Sequence, residues 1–452
     1  MKLKLPTVLL ILLLILPLFL NCSSTAKAAT TQTSPNLFFG VDVAYGGIAA
    51  TEQLIDNISS YTNFFVIGCD GNDNLTTLTT ISQYVYSKGL YFIVFTDTPG
   101  YPSSQWLEDA KNNYGNSFLG IYYSDEPGGR QIDQQDYPVV PAANVDVANA
   151  SYSDVANMYV NTLNYWLRSG PMAITNSFAY PTEYQLFTSD YALYWYDYEA
   201  GYDTVFAEFT MNYSQQFNIA LCRGAATVQG KNWGVVITWK YTQPPYMENE
   251  TELLSDLELA YNNGAKYIVI FDTNENYTQN VLTQNVSPQG QGGQLAAMQQ
   301  FWQYVQANPR TITPASDRTA YVLPAAYGYG FRGPQDKIWG LWPSSADNLT
   351  VDISMSVSTL LKMDGNNLDI VYPSSTLDSA GYHDIIDWNN PELIPTSSPQ
   401  SQQIVSLLAT SGYLYTIAAS IIVAVAVAIT VLKFRKRREN LRSKATFSQM
   451  NH

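Results

Sequence analysis

The sequence predicts an α/β protein of the (β/α)8 TIM-barrel class, followed by a small appendage and a membrane segment. Three observations lead there. From residue 37 the chain repeats one alternation of short apolar run, polar turn and helical stretch. The runs are continuous and β-branched or aromatic, not alternating, as strands buried on both faces of a parallel sheet read. Eight such units over about 270 residues match the count and length of a closed barrel. A doubly wound open sheet is the alternative, but no Gly-rich phosphate loop follows the first run.

The runs expected as strands are, in order, Leu37–Val43, Phe64–Cys69, Leu90–Phe95, Phe118–Tyr123, Met172–Thr175, Thr204–Phe209, Trp233–Trp239 and Lys266–Phe271. The helices between them are expected at Thr51–Tyr61, Leu75–Lys88, Ser104–Tyr114, Ser153–Leu167, Ser189–Ala200, Tyr213–Ala226, Glu250–Asn262 and Gln294–Gln306. Ser189–Ala200 has a Ser/Asp start and Gly201 as its stop. Its stretch Tyr191–Trp195 also reads as a ninth strand. The barrel thus spans 37–310. Residues 318–390 form a separate α/β or β unit, with a helix at Val351–Lys362, a stop at Gly365 and a strand at Leu368–Tyr372.

The two ends carry addresses. Lys2 and Lys4 precede an apolar run, and Ala26-Lys27-Ala28 offers a small-x-small cleavage pattern, so 1–28 reads as a signal peptide. Residues 391–411, rich in Pro, Ser and Gln, read as a stalk. Tyr413–Leu432 has no charge over twenty residues, long enough to cross about 30 Å of hydrocarbon. Lys433, Arg435, Lys436, Arg437 and Arg438 follow at once, so 433–452 is expected on the cytoplasmic side and the body outside the cell. N-x-S/T sequons at Asn57, Asn74, Asn149, Asn212, Asn249, Asn276 and Asn348 agree with that side.

Composition removes several chemistries. Residues 1–28 hold three basic side chains, and the last twenty hold seven against one acid; the rest keeps 13 basic and 37 acidic, a net of −24. Such a body repels phosphate backbones, so no nucleic-acid partner is expected. His452 ends the tail, leaving His383 alone in the body. A Ser-His-Asp or Cys-His relay and a hydrolytic zinc site both need histidine at the reacting centre. Of three cysteines, Cys22 falls in the leader, so Cys69 and Cys222 make at most one bridge. No cofactor is expected.

In such a barrel the loops after each strand meet at one rim, and residues at strand ends there read as catalytic. Asp42, Asp70, Asp97, Asp125, Glu126, Glu208 and Asp272 all fall in or just after the predicted strands. For Asp70, Asp97 and Asp272 a helix-capping use is the stronger reading. Glu126 lies in GIYYSDEPGG, ahead of a loop with no evident helix start before about Ser151, so nothing nearby needs its cap. Glu208 sits inside the apolar run VFAEF, where a charge is costly unless it faces the mouth or an ion partner. Tyr45, Tyr123, Trp195, Trp239 and Tyr241 are candidates to stack on a sugar, with barrel packing as the alternative use. Arg332, Trp339 and Trp342 either reach over the rim or, the stronger reading, pack within the appendage, and His383 is expected on the surface.

Two carboxyls facing one mouth are what glycoside hydrolysis needs: one kept protonated, one ionised. The S-D-E-P at Ser124–Pro127 resembles the N-E-P signature of the large clan of retaining (β/α)8 glycoside hydrolases, with Asp125 in the Asn position. The resemblance implies Glu126 as general acid/base. That clan sets its nucleophile at the end of strand 7, where this chain has Trp239 and Lys240. Glu208 on strand 6 is the comparable residue, an arrangement more like α-galactosidase-type barrels. The block YVLPAAYGYGFRGPQDKIWGLW, with LDIVYP and DWNN, resembles the C-terminal segment of membrane-anchored archaeal surface glycosidase-like proteins. The expectation is an extracellular, membrane-anchored glycosidase with Glu126, Glu208 and Asp125 at its centre and a polysaccharide or glycan as substrate. The alternatives are a surface protein that binds glycan on the same barrel without turnover, and a calcium-stabilised envelope protein using the surplus acids.

Overall fold

The computed structural model describes residues 35–43, 47–68, 74–98, 100–135, 137–168, 184–273, 281–282, 293–333 and 335–390. Eight parallel strands close a barrel in sequence order. They are β1 (Phe38–Val43), β2 (Phe64–Ile67), β3 (Tyr91–Thr96), β4 (Phe118–Tyr123), β5 (Gln185–Asp190), β6 (Thr204–Phe209), β7 (Asn232–Ile237) and β8 (Tyr267–Phe271). Closure comes from β1 against β8, with Phe38 opposite Tyr267 and Asp42 opposite Phe271.

Around the barrel lie α1 (Ile48–Ile58), α2 (Leu75–Ser87), α3 (Ser104–Tyr114), α4 (Pro127–Asp133), α5 (Tyr152–Arg168), α6 (Tyr194–Ala200), α7 (Gln215–Gln229), α8 (Glu250–Asn262) and α9 (Gln294–Ala307). Local chemistry starts several of them. Asn74, Ser103 and Ser214 each accept a backbone N–H of the first turn, and Asn249 with Glu252 forms a full capping box.

Strand alternation sorts the barrel into two layers. Inward side chains fill the lumen: Phe38, Phe64, Tyr91, Tyr122, Phe187, Phe206 and Tyr267 pack with Val66, Ile93, Val236 and Val269. Phe38 stacks on Tyr267 at 4.8 Å. The lumen is therefore an aromatic plug that separates the barrel's two ends. Outward side chains join the larger core under the helices.

The appendage is α/β. Strands β9 (Thr319–Val322), β10 (Leu368–Val371) and β11 (Asp384–Asp387) make a parallel sheet in the order β10-β9-β11, with α10 (Leu349–Asp364) and α11 (Leu377–Ala380). It packs on α7, and Gly224 marks the closest approach: a Cβ there would lie 2.6 Å from the Ile370 carbonyl oxygen. The contact is pinned by a buried ion network. Asp369 accepts from Arg223 at 2.8 Å and Arg318 at 2.6 Å, and Tyr382 donates to it at 2.8 Å.

Three expectations need correction. The fifth strand is Gln185–Asp190, so Ser189 and Asp190 are strand residues and the helix starts only at Tyr194. The polar end of QLFTSD hides a strand because its polar groups serve the barrel mouth. The predicted strand Met172–Thr175 lies outside the described residues. A helix also begins directly after Glu126, with Pro127 in its first turn. Its Gly128-Gly129 pair signals close packing, not a loop: Cβ atoms there would meet the Ala192 carbonyl and the Tyr191 ring.

The leader 1–28, the stalk 391–411, the span Tyr413–Leu432 and the tail 433–452 lie outside the described residues. Among those described, no helix is long and apolar enough to cross a membrane.

Candidate active site

The mouth of the barrel is formed by the last inward residue of each strand and the turn behind it. On β1 that residue is Asp42, on β5 Ser189 and on β6 Glu208; all three are buried. Behind β4 the chain turns sharply. Ser124 and Glu126 both take left-handed backbone conformations, with φ of 60° and 49°. For residues other than glycine that costs roughly 1 kcal/mol or more apiece and is kept where the surroundings enforce it.

Glu126 occupies the N-cap position of α4 but makes no capping hydrogen bond. The capping is done from the next strand, where Asp190 accepts from Gly128 N–H at 2.5 Å and Gly129 N–H at 2.8 Å. Asp190 also accepts from the N–H groups of Tyr191 and Ala192, and from Asp197, which burial holds in its acid form. The Glu126 carboxyl is thereby released from structural duty, and it stays partly exposed at the rim.

It meets Glu208. The two carboxyls share a hydrogen bond, and both are raised: burial pushes Glu126 up to about 8 and Glu208 well above the usual carboxylate range, with the Asp125 charge adding to each. Two carboxylates in contact cannot both ionise, so the pair keeps a proton through neutral pH.

Ser189 points the same way. Its hydroxyl lies 2.7 Å from Asp125 Oδ1 and 2.5 Å from Glu208 Oε1. A hydroxyl has one proton to give, so one of these short contacts is a proton offered to Ser189 by a carboxylic acid. Tyr122 donates to the same Asp125 oxygen at 2.5 Å, and the Asp125 N–H reaches Asp97 Oδ1 at 3.3 Å. Arg130 Nη2 donates to Ser124 Oγ at 2.7 Å.

Asp42 completes the floor. It is 5% exposed, raised by burial and by the Asp125 charge, and its Oδ1 has no hydrogen-bond partner. Asp97, on the rim, is also raised, chiefly because the surrounding protein strips water from its carboxyl and then by the Asp125 charge. Among the described residues no group of three or more His, Cys, Asp or Glu side chains is placed to hold a metal ion.

Of the remaining candidates, the structure separates rim from packing. Trp239 is half-buried at the rim against Tyr246 and Phe271, its Nε1 donating to the Thr273 carbonyl at 2.6 Å. Tyr241 is 45% exposed in the loop after β7. Asp272 is fully buried and accepts from the N–H groups of Val281 and Leu282, both at 2.8 Å, so it ties down a loop instead of capping the next helix.

Two aromatic expectations are overturned. Tyr123 points outward into the layer under the helices, and Tyr122, one residue earlier, faces the mouth, because alternation puts neighbours on opposite faces. Trp195 is 5% exposed, donates to Glu199 and packs on Tyr372 of the appendage, leaving no face for a sugar. Tyr45 and Asp70 lie outside the described residues.

Sequence reasoning missed Ser189, Asp190 and Tyr122. The first two were read as a helix start, and Tyr122 was recoverable from strand period alone.

The appendage braces this turn. Arg332 pairs with Asp133 of α4 at 2.7 Å and with Asp336 at 2.9 Å. Gln131 donates to the Trp339 carbonyl at 2.9 Å. Trp339 is fully buried against Tyr196, Trp342 packs on Tyr152, and His383 is exposed beside Asp384.

No protein-family model and no curated protein matches the chain. Among solved structures it is similar to the catalytic module of a family 98 glycoside hydrolase from Streptococcus pneumoniae TIGR4 in complex with the H-disaccharide blood group antigen. There the identity is 10%, the match covers 83% of this chain and 68% of that one, and the TM-score is 0.41. It is also similar to a β-mannanase from the blue mussel Mytilus edulis, at 10% identity over 60% and 92% of the two chains, TM-score 0.34. A β-1,4-D-mannanase from Cryptopygus antarcticus matches at 12% over 58% and 89%, TM-score 0.34. These likenesses are of barrel architecture, and the reading of the site rests on its own residues.

Proposed function

We propose that this chain is a glycoside hydrolase, anchored to the membrane by its C-terminal segment with the barrel outside the cell, acting on a polysaccharide or glycan. The observation that carries the reading is the proton-sharing pair Glu126–Glu208, set at the mouth by a strained turn that spares Glu126 from capping.

The chemistry follows from position. Glu126 stands on the rim side and delivers the shared proton to the departing sugar oxygen. Glu208, held by Ser189, is left as the carboxylate that attacks the anomeric carbon or activates water there. Retaining enzymes hold their carboxyls about 5–5.5 Å apart and inverting ones about 6.5–9.5 Å. A hydrogen-bonded pair is closer than either, so a sugar enters by breaking the Glu126–Glu208 contact. Asp42 and Asp125 supply acceptors for sugar hydroxyls, and Trp239 and Tyr241 supply ring faces.

The second reading, a glycan-binding surface protein without turnover, is favoured by the end of β7. It carries Thr238, Trp239 and Lys240 in place of a carboxylate, and Lys240 is occupied by Glu252 at 2.7 Å.

An aryl-glycoside panel with the full-length chain in detergent separates the two. Hydrolysis that falls about 10²–10⁴-fold in Glu126→Gln supports the enzyme. Saturable glycan binding that survives in Glu126→Gln, with no hydrolysis of any member by the unaltered chain, supports the second reading.

A further inference from the structure

We propose that the opposite end of the barrel, where the appended sheet meets it, holds a binding site for a multiply charged oxyanion of the phosphate or sulfate type. A cavity of about 400 Å³ opens there, at the starts of β7 and β8 and beside α7. Arg223, Lys231, Lys266, Arg310 and Arg318 line it, and among the described residues no Asp or Glu does. In a chain of net charge −15 such a lining does not follow from composition.

The charges are under-compensated. Asp369 sits between Arg223 and Arg318, and Asp203 pairs with Lys231 at 2.9 Å. Two acids therefore answer five cations. Arg310 spends its guanidinium on the carbonyls of Asn36, Tyr261 and Ala265, which satisfy its hydrogens but not its charge. Among the described residues Lys266 reaches only the Asn232 side-chain oxygen, at 3.2 Å, and stands 5.8 Å from the Tyr267 ring. Its ammonium is pushed below the usual lysine range by burial, with no carboxylate to restore it. Arg318, 6% exposed, keeps a buried Nε–H with no partner.

Guanidinium groups cannot shed the proton to relieve this. A bound anion can. An oxyanion of charge −2 or more matches the surplus, and charge-assisted N–H···O bonds to Lys266, Lys231 and Arg318 would hold it. The volume is within the range of small-molecule pockets, about 300–1,000 Å³, so a sugar-sized group attached to the anion also fits. The aromatic plug isolates this site from the carboxyls, so it stands or falls apart from the hydrolase reading.

The test is calorimetric titration of the full-length chain in detergent with sodium tripolyphosphate, inorganic phosphate and sulfate, against sodium chloride at equal ionic strength. Saturable binding that tightens with anion charge, with a raised unfolding midpoint that chloride does not reproduce, is the expected result. The order of phosphate and sulfate affinities then identifies the source. Lys266→Gln should weaken binding about tenfold or more, the loss of one charge-assisted hydrogen bond. Asn232→Asp, which hands Lys266 a carboxylate, should do the same while leaving the Glu126-dependent chemistry untouched. Should Lys266→Gln fail to fold, the better exposed Lys231→Gln carries the test, with a smaller loss. Absence of saturable heat, affinities unchanged in the variants, or a chloride effect of equal size overturns the proposal.

Discussion

The two ends of the barrel concentrate opposite charge, and they resolve it differently. At the mouth, Asp42, Asp125, Glu126 and Glu208 crowd together with Arg130 as the nearby cation. At the other end five cations meet two acids. A crowded carboxyl can take up a proton, and the raised values of Glu126 and Glu208 are that response. A crowded guanidinium cannot, so the basic end relies on backbone carbonyls, on Asp369 and on whatever anion it binds. Protonation suits the first end to the acid chemistry proposed for it; permanent charge suits the second to binding.

The comparison can be broken most sharply at its salt bridges. Asp369→Ala strips the acid from two buried guanidiniums and should cost about 3–5 kcal/mol, measured by denaturant unfolding. Asp369→Asn keeps the shape but not the charge and should also destabilise. A loss well under 1 kcal/mol in both would mean that solvent or anions already satisfy the arginines.

At the acid end the decisive variable is pH. Carboxyls raised in the folded state add stability that is fully present below their unfolded values and is lost as pH rises through the folded ones. Asp256 pushed up to about 6, Asp190 to about 7, and Glu126 and Glu248 to about 8, all chiefly by burial, place that loss between about pH 4 and 8. The unfolding midpoint should fall by about 5 °C or more from pH 5.5 to 8.5, and Glu208→Gln should flatten the slope. A midpoint that rises across this interval would show the carboxyls to be ionised and paired. Hydrolysis, which needs the shared proton, should decline above about pH 8 in the same preparation.

A smaller effect is expected at Ser189. Ser189→Ala removes the hydroxyl that links Asp125 to Glu208 and should lower turnover roughly tenfold, with the pH limb shifted, for the loss of one hydrogen bond to a charged group. A change in overall stability without a shift of the limb would reduce Ser189 to a packing residue. Smallest of all, His383→Ala should change neither activity nor midpoint, since the ring is exposed beside Asp384.

Most of the barrel was legible in the chain. β4 and β6 run over Phe118–Tyr123 and Thr204–Phe209, as their apolar runs predict, and α3 and α8 also match. β5 was not legible, because its buried end is Thr188-Ser189-Asp190, whose polarity resembles a helix cap until the neighbours that use it are known. Glu208 announced itself as a charge in an apolar run. Asp190 did not, because the helix N–H groups it caps lie some sixty positions earlier.

What the sequence determined by itself was the local and periodic part: seven of the eight buried strands, the capped helices between them, and an acid where apolar burial makes an acid expensive. Tertiary structure alone decided which acids meet. A carboxyl's state depends on dielectric and charge within a few ångströms, and in a barrel those few ångströms bring together strands far apart along the chain. Hence the Glu126 and Glu208 carboxyls meet, Asp190 caps a helix from another strand, and five cations face one cavity in a chain that is acidic overall.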